Sequence, residues 1–424
     1  MTLSRRPCLV AAAMTVLAVT PASADAIFLS TQLRPVEEAQ KVREVILKDF
    51  ATRVDFLPED PGPFVNRVRA EQQTGKVQVT LIGAQHGEMA PLADAFDPVD
   101  DVLAKLADRG FVPAFVALGK LGTEHQLYVP WMQATYIMAA NKLADEHVPA
   151  GAIVQALTYD QIAEWGANIQ RATGERRLGF PAGPKGLMHR FFQGYLYPAY
   201  TGGVVRPFKS ADAAAMWADF KALWEQVSPR STSYDFMQEP LLADEVWVAF
   251  DHVARLKDAF AQRPDDFVAF PAPAGPKGRG FMPVVAGLAI PKGTPDRELS
   301  VRLIDYLTSP EVQAATLREV AFYPVTDVEL PTDLPEGVRI AGAAIAAQAA
   351  AADALPSLLP VGLGEKNGEF NKVYLDTFQR IVIRGQEIST TLATEGGKLA
   401  ALMAETGAPC WTPDAPSNGP CPVE

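Results

Sequence analysis

The segment 267-FVAFPAPAGPKGRGFMPVVAGLAIPKGTPDRELSVRLIDYLTSPEVQAATLREVAFYPVT-326 decides how this chain is to be read. A Pro/Gly-rich turn leads into a short apolar strand, Met282 to Ile290, which ends at a Gly-Thr-Pro-Asp turn. Asp296 is placed to cap a helix whose apolar stripe is Leu299, Leu303, Ile304 and Leu307. Ser309-Pro310-Glu311 supplies an N-cap, an N1 proline and a first-turn acid, so a second helix starts there. The segment leaves through Phe322-Tyr323-Pro324.

Upstream, strand and helix patterns alternate. Ala26 to Ser30 reads as a strand, Pro35 to Phe50 as a helix with Ala39, Val42, Ile46 and Phe50 on one face, and Arg53 to Leu57 and Lys76 to Gly83 as buried strands. That alternation predicts parallel βαβ units and an α/β fold, in which functional loops follow the carboxyl ends of strands. Ser30, Thr31 and Gln32 follow the first strand, and Gln85, His86 and Glu88 follow the third. Leu241 to Phe260 reads as a strand and then a helix holding Asp251 and His252. Helices are also expected over Ile340 to Ala354, Phe370 to Ile383 and Ile388 to Ala404.

The first residues have the form of an export signal: basic Arg5 and Arg6, a short apolar run from Cys8 to Val19, and Ala22-Ser23-Ala24 as cleavage site. The run falls short of the roughly 20 residues that span a bilayer. Cleavage after Ala24 would take the net charge from −12 to −14 by removing Arg5 and Arg6. Such an acidic protein is a poor partner for nucleic acid or an anionic membrane surface. About 400 mature residues exceed one ordinary core, so two lobes are expected. Cys410 and Cys421 bracket a Pro/Gly/Asn-rich loop, and in an exported chain they read as a disulfide stapling the tail. Two free thiols or a metal pair are the alternatives, the latter without a nearby His.

Signatures of catalysis are missing from the sequence: no G-x-S-x-G, H-E-x-x-H or G-x-x-x-x-G-K-[ST] pattern occurs. The five histidines are scattered singly, and Asp100-Asp101 suits a helix first turn better than a glycosidase pair. Gly-Pro-Lys-Gly occurs at 183–186 and 275–278. These read as surface turns, although Arg279 and His189-Arg190 leave an anion site open.

The order of parts in 267–326, together with Tyr128, Pro130, Trp131, Asn141 and Lys142, resembles family 1 of the extracellular solute-binding proteins of ABC importers. The aromatic residues this family carries before the Asn are replaced here by Ala139 and Ala140. The resemblance implies a two-lobed periplasmic-binding-protein type II fold with a cleft between the lobes and a multi-strand hinge. Lobe one would hold 25–134 and 284–322, lobe two 135–283 and 323–424. It implies a monomeric protein in the periplasm with no cofactor and no catalytic or metal residues. Such a protein would deliver a small molecule, expected to be a sugar, to the transmembrane subunits of a permease. Sugars stack on aromatic rings and pair with carboxylates, amides and Arg. The expected contacts are therefore Gln32, Gln85, His86, Glu88, Trp131, Tyr200, Trp247, Asp251, Arg279 and Tyr323. A phosphorylated polyol or other anion as ligand, a secreted hydrolase and a sensor role stay open at this point.

Overall fold

The computed structural model describes residues 26–33 and 36–424; the expected export signal and cleavage site, Arg34 and Pro35 lie outside the described residues. The strands, in chain order, are β1 Ala26–Ser30, β2 Val54–Pro58, β3 Val79–Gln85, β4 Phe96–Asp97, β5 Val129–Ala134 and β6 Tyr136–Asn141. They continue with β7 Leu178–Gly179, β8 Val248–His252, β9 Phe267–Phe270, β10 Arg279–Phe281, β11 Val284–Pro291 and β12 Ala354–Pro356.

Two sheets organise two lobes. The first has the order β2-β1-β3-β11-β4, with β5 also paired to β11. β1 runs parallel to β2 and β3, whereas β11 is antiparallel to β3 and β5. Every residue of β11 is buried, which explains its unbroken apolar sequence: helices cover both faces of the sheet. Gly287 sits in that strand because a Cβ there would fall 2.2 Å from the Tyr128 ring. The second sheet has the order β7-β8-β6-β9.

The two helices of the opening segment form as the sequence predicts. Asp296 Oδ1 accepts from Leu299 N at 2.8 Å, and the Ser309 hydroxyl caps the helix Pro310–Val320. Leu299, Leu303, Ile304 and Leu307 are buried against the first sheet.

Three passages join the lobes. β5 runs into β6 through Thr135, and β11 begins at Val284 paired with Ala134. Gln133 and Tyr323 exchange backbone hydrogen bonds of 2.9 and 2.8 Å. Thr135 Oγ1 donates to Met282 O at 2.8 Å, and the Tyr195 hydroxyl meets Thr135 Oγ1 at 3.1 Å. The third passage leaves the first lobe gradually. Val325 still packs with Phe115 and Val285, and only the helix Glu336–Ala350 lies on β9.

Some elements differ from the sequence expectation. The helix expected over 35–50 is α-helical only from Val36 to Lys41 and then widens and tightens by turns to Phe50. Asp251 and His252 end strand β8 and are not helical: Val248 and Phe250 alternate with Ala249 and Asp251 in the middle of the second sheet, and the helix starts at Lys257. The Ala-rich helix is Glu336–Ala350, and the chain then forms β12 beside β10. Cys410 and Cys421 are disulfide-bonded. The loop they close presents Asp414, whose carboxylate accepts from Val204 N, Val205 N and Arg206 N at 2.9–3.0 Å and fastens the tail to the second lobe. Among the described residues no helix is long and apolar enough to cross a membrane.

Candidate functional site between the lobes

The carboxyl ends of β1 and β3 open side by side. After β1, the Ser30 hydroxyl accepts from Gln32 N at 3.0 Å, and Gln32 Nε2 donates to Thr31 Oγ1 at 3.0 Å. After β3, Glu88 folds back over the first turn of the short helix His86–Met89. Its Oε2 accepts from Gln85 N at 3.1 Å and from the Thr31 hydroxyl. The Glu88 carboxylate thus ties the two strand ends into one polar rim. His86 points the other way, into the lobe: it is 5 % exposed, and its Nδ1 lies 3.1 Å from the Tyr128 hydroxyl. Burial lowers its pKa to about 4, so the ring is neutral at pH 7.

Against this rim stands a cavity of about 550 Å³, of the size that holds a small-molecule ligand. The first lobe contributes Asn66, Gln85, Gly87 and Glu88; the second contributes Arg190, Pro360 and Asn367. Arg190 Nη1 donates to Gln193 Oε1 at 3.3 Å, and Gln193 Nε2 passes the chain on to Asn371 at 3.0 Å. Asn367 Oδ1 is buried without a hydrogen-bond partner. The lobes touch on two sides of the rim: Lys257 Nζ reaches Glu38 Oε1 at 3.0 Å, and Gly87 packs against Pro360 and Leu359. Among the described residues no group of His, Cys, Asp and Glu is arranged to hold a metal ion.

Of the residues singled out in sequence, Gln32, Gln85 and Glu88 gather at the rim, with His86 behind them. The others lie elsewhere. Trp131 is 1 % exposed in the first lobe's core, its ring 5.4 Å from Phe28 and packed on Gly83. Tyr200 leans on Tyr159 at 5.6 Å in a shallow recess with Asp160 and Asp219. Trp247 stacks with His147 at 6.0 Å and carries the Arg177 guanidinium over its ring at 4.7 Å. Asp251 is buried, accepting from Met237 N at 2.9 Å and His252 N at 2.7 Å, and burial raises its pKa to about 7.

Arg279 is 3 % exposed, donates to Ala272 O, and has Nε 3.5 Å from Asp353. The Tyr323 hydroxyl donates to Val338 O at 3.0 Å; its ring lines a second, mainly apolar cavity of about 770 Å³ where the three passages meet. Both Gly-Pro-Lys-Gly segments are turns, Lys277 pairing with Asp212 at 3.2 Å and Lys185 N donating to Asp235 at 2.8 Å. Sequence reading missed Asn66 and Asn367, which carry no motif. Arg190 had one signal, the His189-Arg190 pair after the first Gly-Pro-Lys-Gly turn.

The architecture has close parallels among solved structures. MalE from Xanthomonas citri superposes with a TM-score of 0.72 at 14 % identity, over 90 % of this chain and 97 % of that one. Maltose-bound MalE3 of T. maritima gives 0.69 at 17 % identity, over 90 % and 100 %. UgpB from Mycobacterium tuberculosis in complex with glycerophosphocholine gives 0.69 at 17 %, over 90 % and 99 %. No curated protein matches the chain in sequence. Residues 36–314 match the family model of the bacterial extracellular solute-binding proteins, well over half of the chain, and the chain belongs to that family.

Proposed function

We propose that the chain is the substrate-binding component of an ABC importer, which captures a carbohydrate in the periplasm and hands it unchanged to the transmembrane permease subunits. The observation that carries this reading is the cavity between the lobes, whose polar lining is shared: Asn66, Gln85 and Glu88 from one lobe, Arg190 and Asn367 from the other. A solute that bonds to both sets at once is held only when the lobes are together, so binding selects the closed state. Amides, a carboxylate and a guanidinium are the groups that pair with sugar hydroxyls. Solved relatives in fold hold maltose, tagatose and cycloalternan, which supports the class of cargo.

In this reading the signal is cleaved after Ala24, the lobes are 25–134 with 284–322 and 135–283 with 323–424, and the protein acts as a monomer. No described residue lining the cavity is aromatic, so a small, densely hydroxylated solute suits it better than a long chain that stacks on rings. Isothermal titration of the mature protein against mono- and disaccharides is the test. Heat of binding with at least one sugar is expected; tight binding to an amino acid or peptide and to no sugar would overturn the reading.

A further inference from the structure

The wall that the second lobe presents to the cavity carries a cation that forms no ion pair among the described residues. Arg190 lines the cavity beside Gln85 and Glu88, and its one side-chain hydrogen bond among the described residues goes to the neutral amide of Gln193. None of the ion pairs among the described residues includes it. Burial pushes the pKa of its guanidinium down, with Tyr136 and the Glu88 carboxylate across the cavity pulling the other way, so the charge is held partly dry and, among the described residues, in no direct ion pair.

A second guanidinium acts on the same neighbour, His189. Arg255 donates to the backbone carbonyls of Asp235, at 3.0 Å, and Lys185, at 3.4 Å, and lies 4.5 Å from the Phe236 ring; it too forms no ion pair among the described residues. His189 is kept neutral by burial and then by both arginines, so its ring carries one donor and one acceptor. The cavity also receives the first residues of two long helices, Pro61 and Gly62 of Pro61–Thr74 and Asn367 of Asn367–Phe378, whose N-terminal ends add partial positive charge.

Of the other charged groups in the lining, Arg69 is taken up by Asp94 at 2.8 Å. Glu88 is the one acid among the described lining residues, and its Oε2 already accepts from Thr31 and Gln85 N. A neutral sugar would leave the Arg190 charge facing only the Glu88 carboxylate, which Thr31 and Gln85 N already engage, a costly arrangement for a partly buried cation.

Resting on the carbohydrate reading above, we infer that the cargo is an acidic one: its end that meets Arg190 carries an oxyanion, the carboxylate of a uronic acid or the phosphate of a sugar phosphate. The planar guanidinium takes either group through two parallel hydrogen bonds. Titration with glucose, glucuronate, glucose 6-phosphate and glycerol 3-phosphate separates the cases.

At least one acidic sugar should bind about 10-fold or more tighter than glucose, the worth of a charge-assisted hydrogen bond, and the advantage should shrink as salt rises. Arg190→Gln should bring the acidic-to-neutral ratio close to one, while Arg190→Lys keeps part of it; far-ultraviolet circular dichroism of both variants checks that they fold. Glucuronate as the sole tight binder identifies a carboxylate, glucose 6-phosphate a phosphate. Equal affinity for glucose and its acidic forms, or a ratio unchanged in Arg190→Gln, overturns this inference and leaves sugar capture standing. Tight binding of glycerol 3-phosphate alone keeps the oxyanion site and removes the sugar. Silence with all four probes overturns this inference and leaves sugar capture to the wider panel above.

Discussion

The ion pair between Lys257 and Glu38 spans the lobes, and its strength should be visible in affinity, not in stability. The two side chains are 33 % and 15 % exposed, and their N–O distance is 3.0 Å. Two unit charges about 4 Å apart attract by about 1 kcal/mol in water and about 4 kcal/mol at an effective dielectric of 20. Solvent reaches both groups, and ordering two long side chains has its own cost, so about 1 kcal/mol is the sensible figure for the pair. If the ligand-free protein is mostly open, each kcal/mol lost from the closed state passes directly into the apparent affinity. Lys257→Met should therefore weaken solute binding about 5-fold. Lys257→Glu replaces attraction with a comparable repulsion, about 2 kcal/mol in all, and should weaken it about 30-fold. The exchanged pair, Glu38→Lys with Lys257→Glu, should recover most of the loss, because the coupling between the two sites is what a double-mutant cycle isolates. Titration calorimetry at low and at high salt gives the numbers, and thermal melts of the ligand-free variants should not move, since neither lobe's core is touched. Wild-type affinity in Lys257→Glu, or no recovery in the exchanged pair, would refute the assignment of this contact to closure.

Gly87 meets the second lobe so closely that an added Cβ would lie 3.1 Å from Pro360 O. Gly87→Val should act as a wedge, costing the closed state about 1–3 kcal/mol and the affinity about 5- to 150-fold, with small-angle scattering showing a protein that no longer compacts when solute is added. Replacing Cys410 and Cys421 with serine frees a loop of sequence separation 11; loop-closure entropy puts the loss at about 3 kcal/mol, measured as a lower unfolding midpoint in denaturant. Acid should also destabilise the fold. Burial keeps His86 and His252 neutral, with pKa values lowered to about 4 and about 3, and His189 is lowered well below the ordinary value. The unfolded chain protonates all three near pH 6.5, so unfolding takes up protons and stability is lost as the pH falls from there towards 4. Asp251, raised to about 7, opposes this by taking its proton first in the folded state. The histidines outnumber it, and a net slope of about 1–3 kcal/mol per pH unit is expected near pH 5; denaturant melts at pH 7, 6 and 5 that coincide would contradict it.

The parts of the fold that were legible in sequence are those whose cause is local. Asp296 and Ser309 announce helix starts because a capping side chain must sit within three residues of the N–H it accepts from. β11 reads as a strand because both its faces are covered and its sequence is apolar without a break. The Ala-rich stretch placed its helix four residues late because alanine carries no face, and the true boundary at Glu336 is set by packing on β9. Asp251 was read into the helix that follows the strand of Leu241 to Phe260, although the alternation of Val248 and Phe250 with Ala249 and Asp251 already spelled a strand. Trp131 shows the limit from the other side: its place beside the first passage between the lobes was found correctly, yet its ring turns onto Phe28 and Gly83, and which way a side chain faces depends on a sheet that the local sequence does not contain.

The site itself is non-local by construction. Asn66, Gln85 and Glu88 are brought to Arg190 and Asn367 only when two separately built lobes meet, and no spacing rule connects positions some hundred or more residues apart. Glu88 could be found because it follows the carboxyl end of β3, where this fold class puts its functional loops; its bonds to Thr31 and Gln85 N came only with the structure. Arg190 answers to nothing within its own lobe beyond a neutral amide, which is why sequence gave it little emphasis. The same lack of a direct ion pair gives it functional weight, because the free energy of a partly buried charge that the fold only partly compensates is available to whatever enters the cleft. A binding protein whose framework satisfied Arg190 internally would be more stable and would bind less selectively. On that argument the residues that choose the cargo are found by asking which polar groups each lobe leaves unfinished, and here those are Arg190 and Asn367, both on the second lobe and both facing the rim that Glu88 builds on the first.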